Sequence, residues 1–393
     1  MLYSLMLGMF ALGTDLFVMA GVLPRIAADL GVDLARAGWL VSAFALVYGL
    51  AAPLLAATTA GLSRRTAALG ALALFALANL LSAVSTSFAL LLASRVLAAL
   101  GAATFSPLAS SVAAMSVAPQ RRGRALALVL AGTSGATVLG SPLGTWIAHA
   151  WGWRSTFCAV SALALLAIVG LWNSGLPRER AVGAAGLRER FTPLAQARVL
   201  LVLLPLLLWM MAGFNLYTYL PALLAGAGDA TKHLETLLLL YGLGGVAGSW
   251  LGGRLADRFG ARRPLLVALV VLGLVYACWP WVVRDAPTAG LVLAAWGLAG
   301  WSLMPAQQHR LVSVAPQNAG VLLGLFSATL YLGITLGSLL GGFAMQVASQ
   351  PARALPLTSA ALVAAAFVAV ALAGTRRVQA MPCSPRCPDA SAA

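Results

Sequence analysis

Only one acidic residue in this sequence is stranded inside an apolar run. Asp29, Asp33, Glu179, Glu189, Asp229, Glu235, Asp257, Asp285 and Asp389 fall in connecting segments, at the ends of apolar runs or in the C-terminal tail, whereas Asp15 sits well within one. Arg95 is its basic counterpart, some seven residues into another run. Burial favours the neutral form of a carboxyl group and a nearby guanidinium favours the carboxylate. The chemistry such a pair can perform is therefore reversible proton uptake, switched by a change in surroundings. Other reactive types offer less. His149, His233 and His309 are isolated near the ends of apolar runs, and Cys158 and Cys278 lie inside runs. Cys383 and Cys387 have no nearby histidine to complete a metal site. No phosphate-binding loop, zinc spacing or nucleophile–base arrangement is present, so neither an ATP-driven pump nor an enzyme is expected, nor any metal or cofactor.

The elements that must position these residues follow from composition. The chain has 393 residues, 61% hydrophobic and 9% charged, where a soluble domain has about 25% charged. Apolar stretches near the roughly 20 residues needed to cross a bilayer recur at about 3–23, 37–60, 67–86, 88–116, 124–147, 153–175, 199–224, 234–253, 264–283, 288–311, 319–346 and 356–374. Twelve membrane helices are expected. At mid-helix Asp15 costs about 2.5–3.5 kcal/mol on insertion scales, and such residues ordinarily face a partner or a cavity. The net charge of +15 is scattered between apolar runs, so it does not indicate nucleic acid. Eighteen of the 25 Lys and Arg residues fall in alternate loops on one side and six on the other, which predicts a cytoplasmic location for both termini. The first span, lacking a cationic leader and a clear cleavage site, reads as an uncleaved anchor.

Near the middle, Pro-Arg-Glu-Arg and Arg-Glu-Arg mark a polar linker over 176–198. It separates two expected six-helix bundles, 1–175 and 199–375, with a tail, expected to be disordered, over 376–393. The halves resemble one another at a shift of 197 residues. Leu23-Pro24 recurs as Leu220-Pro221, Ser116 to Gln120 recurs as Ser313 to Gln317, and Gly140-Ser141-Pro142-Leu143-Gly144 recurs as Gly337-Ser338-Leu339-Leu340-Gly341. Six spans is an even number, so the second copy enters the membrane in the orientation of the first. That is the parallel repeat of an alternating-access transporter, with its binding site near the midplane between halves.

Three stretches carry a family likeness: Gly13-Thr14-Asp15-Leu16-Phe17 through Gly31; Ser94-Arg95-Val96 through Ala102; and Gly140 to Thr145 followed by Gly152-Trp153-Arg154. Together they resemble the twelve-span drug:proton antiporters of the major facilitator superfamily, most closely the bacterial branch of sugar and chloramphenicol exporters. The likeness implies an all-α major facilitator fold of two pseudo-symmetric bundles in the bacterial inner membrane, sufficient as a monomer. It implies proton-coupled efflux of a drug, sugar or metabolite, with multidrug resistance one outcome. Asp15 and Arg95 would then couple the proton. Gly252-Gly253-Arg254-Leu255-Ala256-Asp257-Arg258-Phe259-Gly260-Ala261-Arg262-Arg263 is similar to the superfamily's loop signature and reads as a latch between spans 8 and 9. Its first-half equivalent keeps Gly61, Arg64 and Arg65 but has no acid. In span 5, Gly132, Gly135, Gly140, Pro142 and Gly144 resemble the stretch that distinguishes antiporters from symporters, and in helix chemistry they allow close packing and a bend.

For the cargo, Met19 is four residues beyond Asp15, and Asn215 and Tyr219 have the same i, i+4 relation in span 7, with Gln307 and Gln308 offered by span 10. A mainly apolar pocket with these few polar groups suits a small neutral or weakly amphipathic molecule. Proton-linked uptake, facilitated diffusion and a non-transporting sensor or scaffold remain open on sequence.

Overall fold

The computed structural model describes residues 1–58, 61–175, 196–314 and 319–373. The expected linker and tail lie almost entirely outside these residues. With no water in the hydrocarbon, backbone polar groups must be satisfied within each crossing segment, and helices do this. Among the described residues there is no strand, and eleven helices are long and apolar enough to cross a membrane. A twelfth crossing is a bent pair, Leu2–Phe17 and Met19–Asp29, which meet at 51° (span 1). The others are Trp39–Thr58 (span 2), Arg64–Ala83 (3), Phe88–Met115 (4), Arg122–Trp151 (5), Trp153–Trp172 (6), Ala197–Tyr217 (7), Leu234–Phe259 (8), Arg262–Val282 (9), Ala286–Val314 (10), Ala319–Val347 (11) and Pro351–Ala373 (12).

Several ends differ from the sequence expectation because arginine sustains a helix and lies comfortably at headgroup level. Gly252 to Phe259, read as loop, forms the last two turns of span 8, and only Gly260 (φ +74°) and Ala261 separate it from span 9. Arg64 and Arg65 likewise open span 3, behind Ser63, whose hydroxyl caps the Thr66 amide at 3.1 Å. Gly152 (φ +85°) makes the whole turn between spans 5 and 6, a conformation that favours glycine.

The two halves are built alike. Span 1 packs on spans 5 and 6, span 2 on span 4, and span 3 on spans 4 and 6; spans 7, 8 and 9 repeat these pairings with 11, 12 and 10. Arg65 and Arg262, 197 residues apart, do the same work: each donates from Nη2 to a carbonyl in the final turn of its half, Trp172 at 3.1 Å and Ala371 at 2.9 Å. These contacts, with Ser116 beside Met1, define the near face, where the chain begins. Asp29, Arg154 and the Ser85 carbonyl, joined at 2.6 and 3.0 Å, mark the far face.

Span 2 meets span 11, and span 5 meets span 8, so the contacts between halves follow the same two-fold relation as the halves themselves. Among the described residues, the hydrogen bonds across this junction lie from mid-span to the far face. Ser338 Oγ donates to the Gly38 carbonyl at 3.1 Å and the Tyr217 hydroxyl to the Phe17 carbonyl at 3.1 Å. Toward the near face, spans 2, 7 and 11 part around a crevice of about 460 Å³ walled by Leu46, Leu50, Leu204, Leu207, Leu325 and Leu332. The rings of Tyr48 and Tyr331, stacked at 3.7 Å, join spans 2 and 11 beside it.

Small residues set how closely the helices approach. A Cβ on Gly252 would lie 2.2 Å from the Ser302 carbonyl oxygen of span 10, and one on Gly248 equally close to that of Leu298. A Cβ on Gly253 would meet nothing within 4 Å. Of the paired glycines in this signature, Gly252 therefore makes the helix contact. Gly252→Val is expected to reduce folded protein in membranes severalfold, as overpacking costs typically 1–3 kcal/mol, while Gly253→Ala should leave it unchanged; fluorescence-detected size exclusion would compare them.

Candidate functional site

Span 1 is wedged between spans 5 and 6, and this burial is what carries Asp15 inward. Its neighbours on span 5 are the glycines singled out in the sequence. A Cβ on Gly132 would approach the Met6 carbonyl to 2.2 Å, on Gly140 the Thr14 hydroxyl to 2.1 Å, and on Gly144 the Val18 side chain to 2.5 Å. Between them Ala136–Gly140 forms a π-helical turn, followed by Pro142 at the start of Ser141–Trp151. Proline has no amide hydrogen to give the preceding turn, and a widened turn is one way a helix absorbs that loss.

Asp15 Oδ1 accepts from Arg95 Nη1 at 2.6 Å, and both side chains have no solvent exposure. The guanidinium carbon lies 4.7 Å from the Phe44 ring centre and 5.6 Å from that of Phe157. Four spans of the first half, 1, 2, 4 and 6, thus enclose a cation–anion pair between two aromatic faces. Asp15 Oδ2 and Arg95 Nε and Nη2 have no hydrogen-bond partner among the described residues. A buried pair with this much unused bonding capacity is tolerated only because each charge compensates the other. Removing or neutralising one partner changes the energy of the other substantially.

The bend at Val18 has two consequences. It ends the helical relation between Asp15 and Met19, so the expected common face does not persist; Met19 is buried at the start of the next segment. It also presents the Phe17 carbonyl to side chains: Ser141 Oγ and the Tyr217 hydroxyl each donate to it at 3.1 Å. Tyr217 belongs to the other half. Two residues from Asp15, the halves are therefore joined through a main-chain oxygen.

Around that joint stands a wall of rings. Phe17 lies 6.5 Å from Phe214, 6.0 Å from Tyr217 and 5.9 Å from Trp301; Tyr241 and Trp296 continue it at 5.2 and 6.3 Å from Tyr217. Trp301 Nε1 donates to the Tyr241 hydroxyl at 3.2 Å. None of these rings was singled out in the sequence, although Phe17 is two residues from Asp15 and Trp296 and Trp301 share span 10.

The polar residues expected to face cargo are engaged elsewhere. Asn215 Nδ2 donates to Leu355 O and to the Thr358 and Ser359 hydroxyls at 2.9–3.1 Å, fastening span 7 to span 12. Span 7 ends at Tyr217, so Tyr219 does not share its face; its hydroxyl donates to the Ser338 carbonyl at 2.9 Å. The Gln307 amide donates to the Val202 carbonyl of span 7, and Gln308 is exposed. Of the loop signature, Asp257, Arg258 and Gly260 are exposed, and Asp257 has no hydrogen bond or ion pair among the described residues. Arg263 borders a small apolar pocket with Phe259 and Pro264. Arg64 is buried with Nε unpartnered among the described residues, and Arg65 rests on the Trp172 ring at 4.9 Å.

Known proteins place this architecture. The family model of the Major Facilitator Superfamily matches residues 5–338 and, in an overlapping match, 236–386. An inner membrane transport protein of Escherichia coli, YdhP, is 33% identical over 344 residues, 87% of each chain. A chloramphenicol resistance protein of Streptomyces lividans is 38% identical over 303 residues, 74% of this chain and 75% of that one. A probable sugar efflux transporter of Helicobacter pylori is 31% identical over 345 residues, 85% of each. In fold, the chain is similar to a bacterial homologue of the lysosomal transporter Spinster, with a TM-score of 0.76 at 18% identity covering 95% and 96% of the two chains. A bound peptide transporter gives 0.78 at 14% identity, covering 95% and 94%. Two like-built six-span halves, a family match along nearly the whole chain and transporters as relatives leave one conclusion: this chain belongs to the Major Facilitator Superfamily and is a multi-pass membrane transporter.

Proposed function

We propose that the chain exports a small neutral or weakly amphipathic molecule from the bacterial cytoplasm in exchange for protons, as a monomer in the inner membrane. The observation that carries this reading is the Asp15–Arg95 pair, fully buried at 2.6 Å with a carboxylate oxygen free to take a proton. Protonation removes the anion and leaves Arg95 uncompensated, which favours any arrangement that readmits water or shifts the rings around it. The joint at the Phe17 carbonyl gives that change a route to the second half. The near face is cytoplasmic, as the arginine count predicts, and spans 2, 7 and 11 part toward it. The bundles 1–175 and 199–375 rock about the 2–11 and 5–8 contacts. The Asp257 signature, where the acid has no hydrogen bond or ion pair among the described residues, engages when the near face closes.

The cargo surface is the ring wall of Phe17, Phe214, Tyr217, Tyr241, Trp296 and Trp301 rather than the amides of Asn215 and Gln307. Rings stack on planar or apolar molecules, with hydroxyl and indole groups fixing orientation. The relatives named for chloramphenicol resistance and sugar efflux supply the first probes. In inverted vesicles with an acidic interior, chloramphenicol or arabinose added outside should discharge the gradient and accumulate inside. Accumulation that persists unchanged after the proton gradient is collapsed would exclude proton exchange.

A further inference from the structure

We propose that His149 and Glu235 form a proton-dependent latch between the halves at the far face. His149 lies in the last turn of Ser141–Trp151 and Glu235 in the first turn of span 8. His149 Nδ1 is in hydrogen-bond contact with Glu235 Oε1, with the two side chains 34% and 25% exposed. Among the described residues, the other ion pairs lie within one half: Arg95–Asp15, Arg154–Asp29 and Lys232–Asp229. The other hydrogen bonds between the halves among these residues join neutral groups, such as Ser338 to Gly38 and Tyr217 to Phe17. His149 and Glu235 thus add a charge-dependent contact to a junction otherwise held by neutral ones.

Each residue stands at a helix end suited to its kind of charge. A cation is stabilised at a helix C-terminus and an anion at an N-terminus, which is where His149 and Glu235 respectively sit. Of the charged groups on neighbouring elements, Arg25 on Met19–Asp29 donates to the Ala148 carbonyl at 2.7 Å and opposes a second cation beside it. Asp29 is held by Arg154 of span 6 at 2.6 Å, and Lys232, just before span 8, by Asp229 at 2.9 Å. His233 precedes Glu235, and Arg284 and Asp285 lie before span 10, with Asp285 Oδ1 accepting from the Thr288 amide at 2.9 Å. Glu235 is therefore the acid presented to His149. Imidazole is the side chain whose charge changes between about pH 5 and 8. A protonated His149 makes the contact an ion pair; deprotonation leaves a hydrogen bond between neutral imidazole and carboxylate. The latch is thus stronger in acid and weaker as pH rises.

This inference rests on the transport reading only for what the latch regulates: acid outside the cell would hold the outer face shut. The experiment measures the latch itself. Spin labels on the far-face ends of spans 5 and 8, in full-length protein in nanodiscs, report their separation at pH 5.5 and pH 8. The separated population should rise about two- to fivefold with pH, the range for a partly exposed pair. Glu235→Gln and His149→Gln should be separated at both pH values without the shift. The exchange His149→Glu with Glu235→Lys should be closed at both. A Glu235→Gln chain with the wild-type response overturns the latch. Asp15→Asn should retain the shift, so a failure of proton-coupled export and a failure of the latch would be told apart.

Discussion

Asp15→Asn is expected to abolish accumulation driven by a proton gradient, by at least about a hundredfold, while downhill exchange of labelled for unlabelled cargo continues. The amide keeps the shape of a protonated carboxyl group and cannot release its proton. It therefore fixes the site in one of the two states that coupling must visit. The variant leaves Arg95 without its anion, a change that costs about 3–5 kcal/mol where no other group compensates. Phe44 and Phe157, 4.7 and 5.6 Å from the guanidinium carbon, still face the cation in the variant, and a desolvated cation–ring contact contributes about 2 kcal/mol toward keeping it in place. The chain should accordingly insert and purify, with a lowered melting temperature. Undiminished gradient-driven transport by Asp15→Asn would remove the proton site.

Arg95→Met is expected to be the more damaging single change to stability. Methionine fills much of the space between Phe44 and Phe157 but leaves a carboxylate with no solvent exposure and no cation. The fold must then bear a buried anion, at about 3–5 kcal/mol, or hold Asp15 permanently protonated; in either case coupling is lost. The double variant Asp15→Asn, Arg95→Met has neither charge and should recover most of the stability while remaining uncoupled. Melting temperatures for the four chains form a cycle in which the pair term is read directly. Additive losses in the double variant would mean that the two residues do not act as a pair.

The sequence made the twelve crossings legible because each must be apolar over a length set by the bilayer, and it made the repeat legible because three motifs recur in register. Asp15 and Arg95 were legible for a related reason: in hydrocarbon a lone charge is costly enough to demand a partner, and each was the other's best one. The glycines of span 5 could be read as a close-packing face, and span 1 lies against Gly132, Gly140 and Gly144. Cargo residues were not legible in the same way. An amide inside a span fits a helix fastener as well as a binding group, and Asn215 and Gln307 reach carbonyls of spans 12 and 7 that only the folded chain brings near. The i, i+4 arguments for Met19 and Tyr219 assumed unbroken helices, whereas span 1 turns at Val18 and span 7 ends at Tyr217. The ring wall was hidden because its members come from spans 1, 7, 8 and 10, and aromatic residues scattered through apolar runs carry no periodic signal.

On the proposed cycle, the leucine-walled crevice between spans 2, 7 and 11 would make the surrounding lipid a participant. Acyl chains seated in it would have to leave before spans 2, 7 and 11 close together. The work of that expulsion depends on how ordered and how thick the leaflet is. Transport rate should therefore follow the host membrane's fluidity and chain length, even with every residue of the protein unchanged.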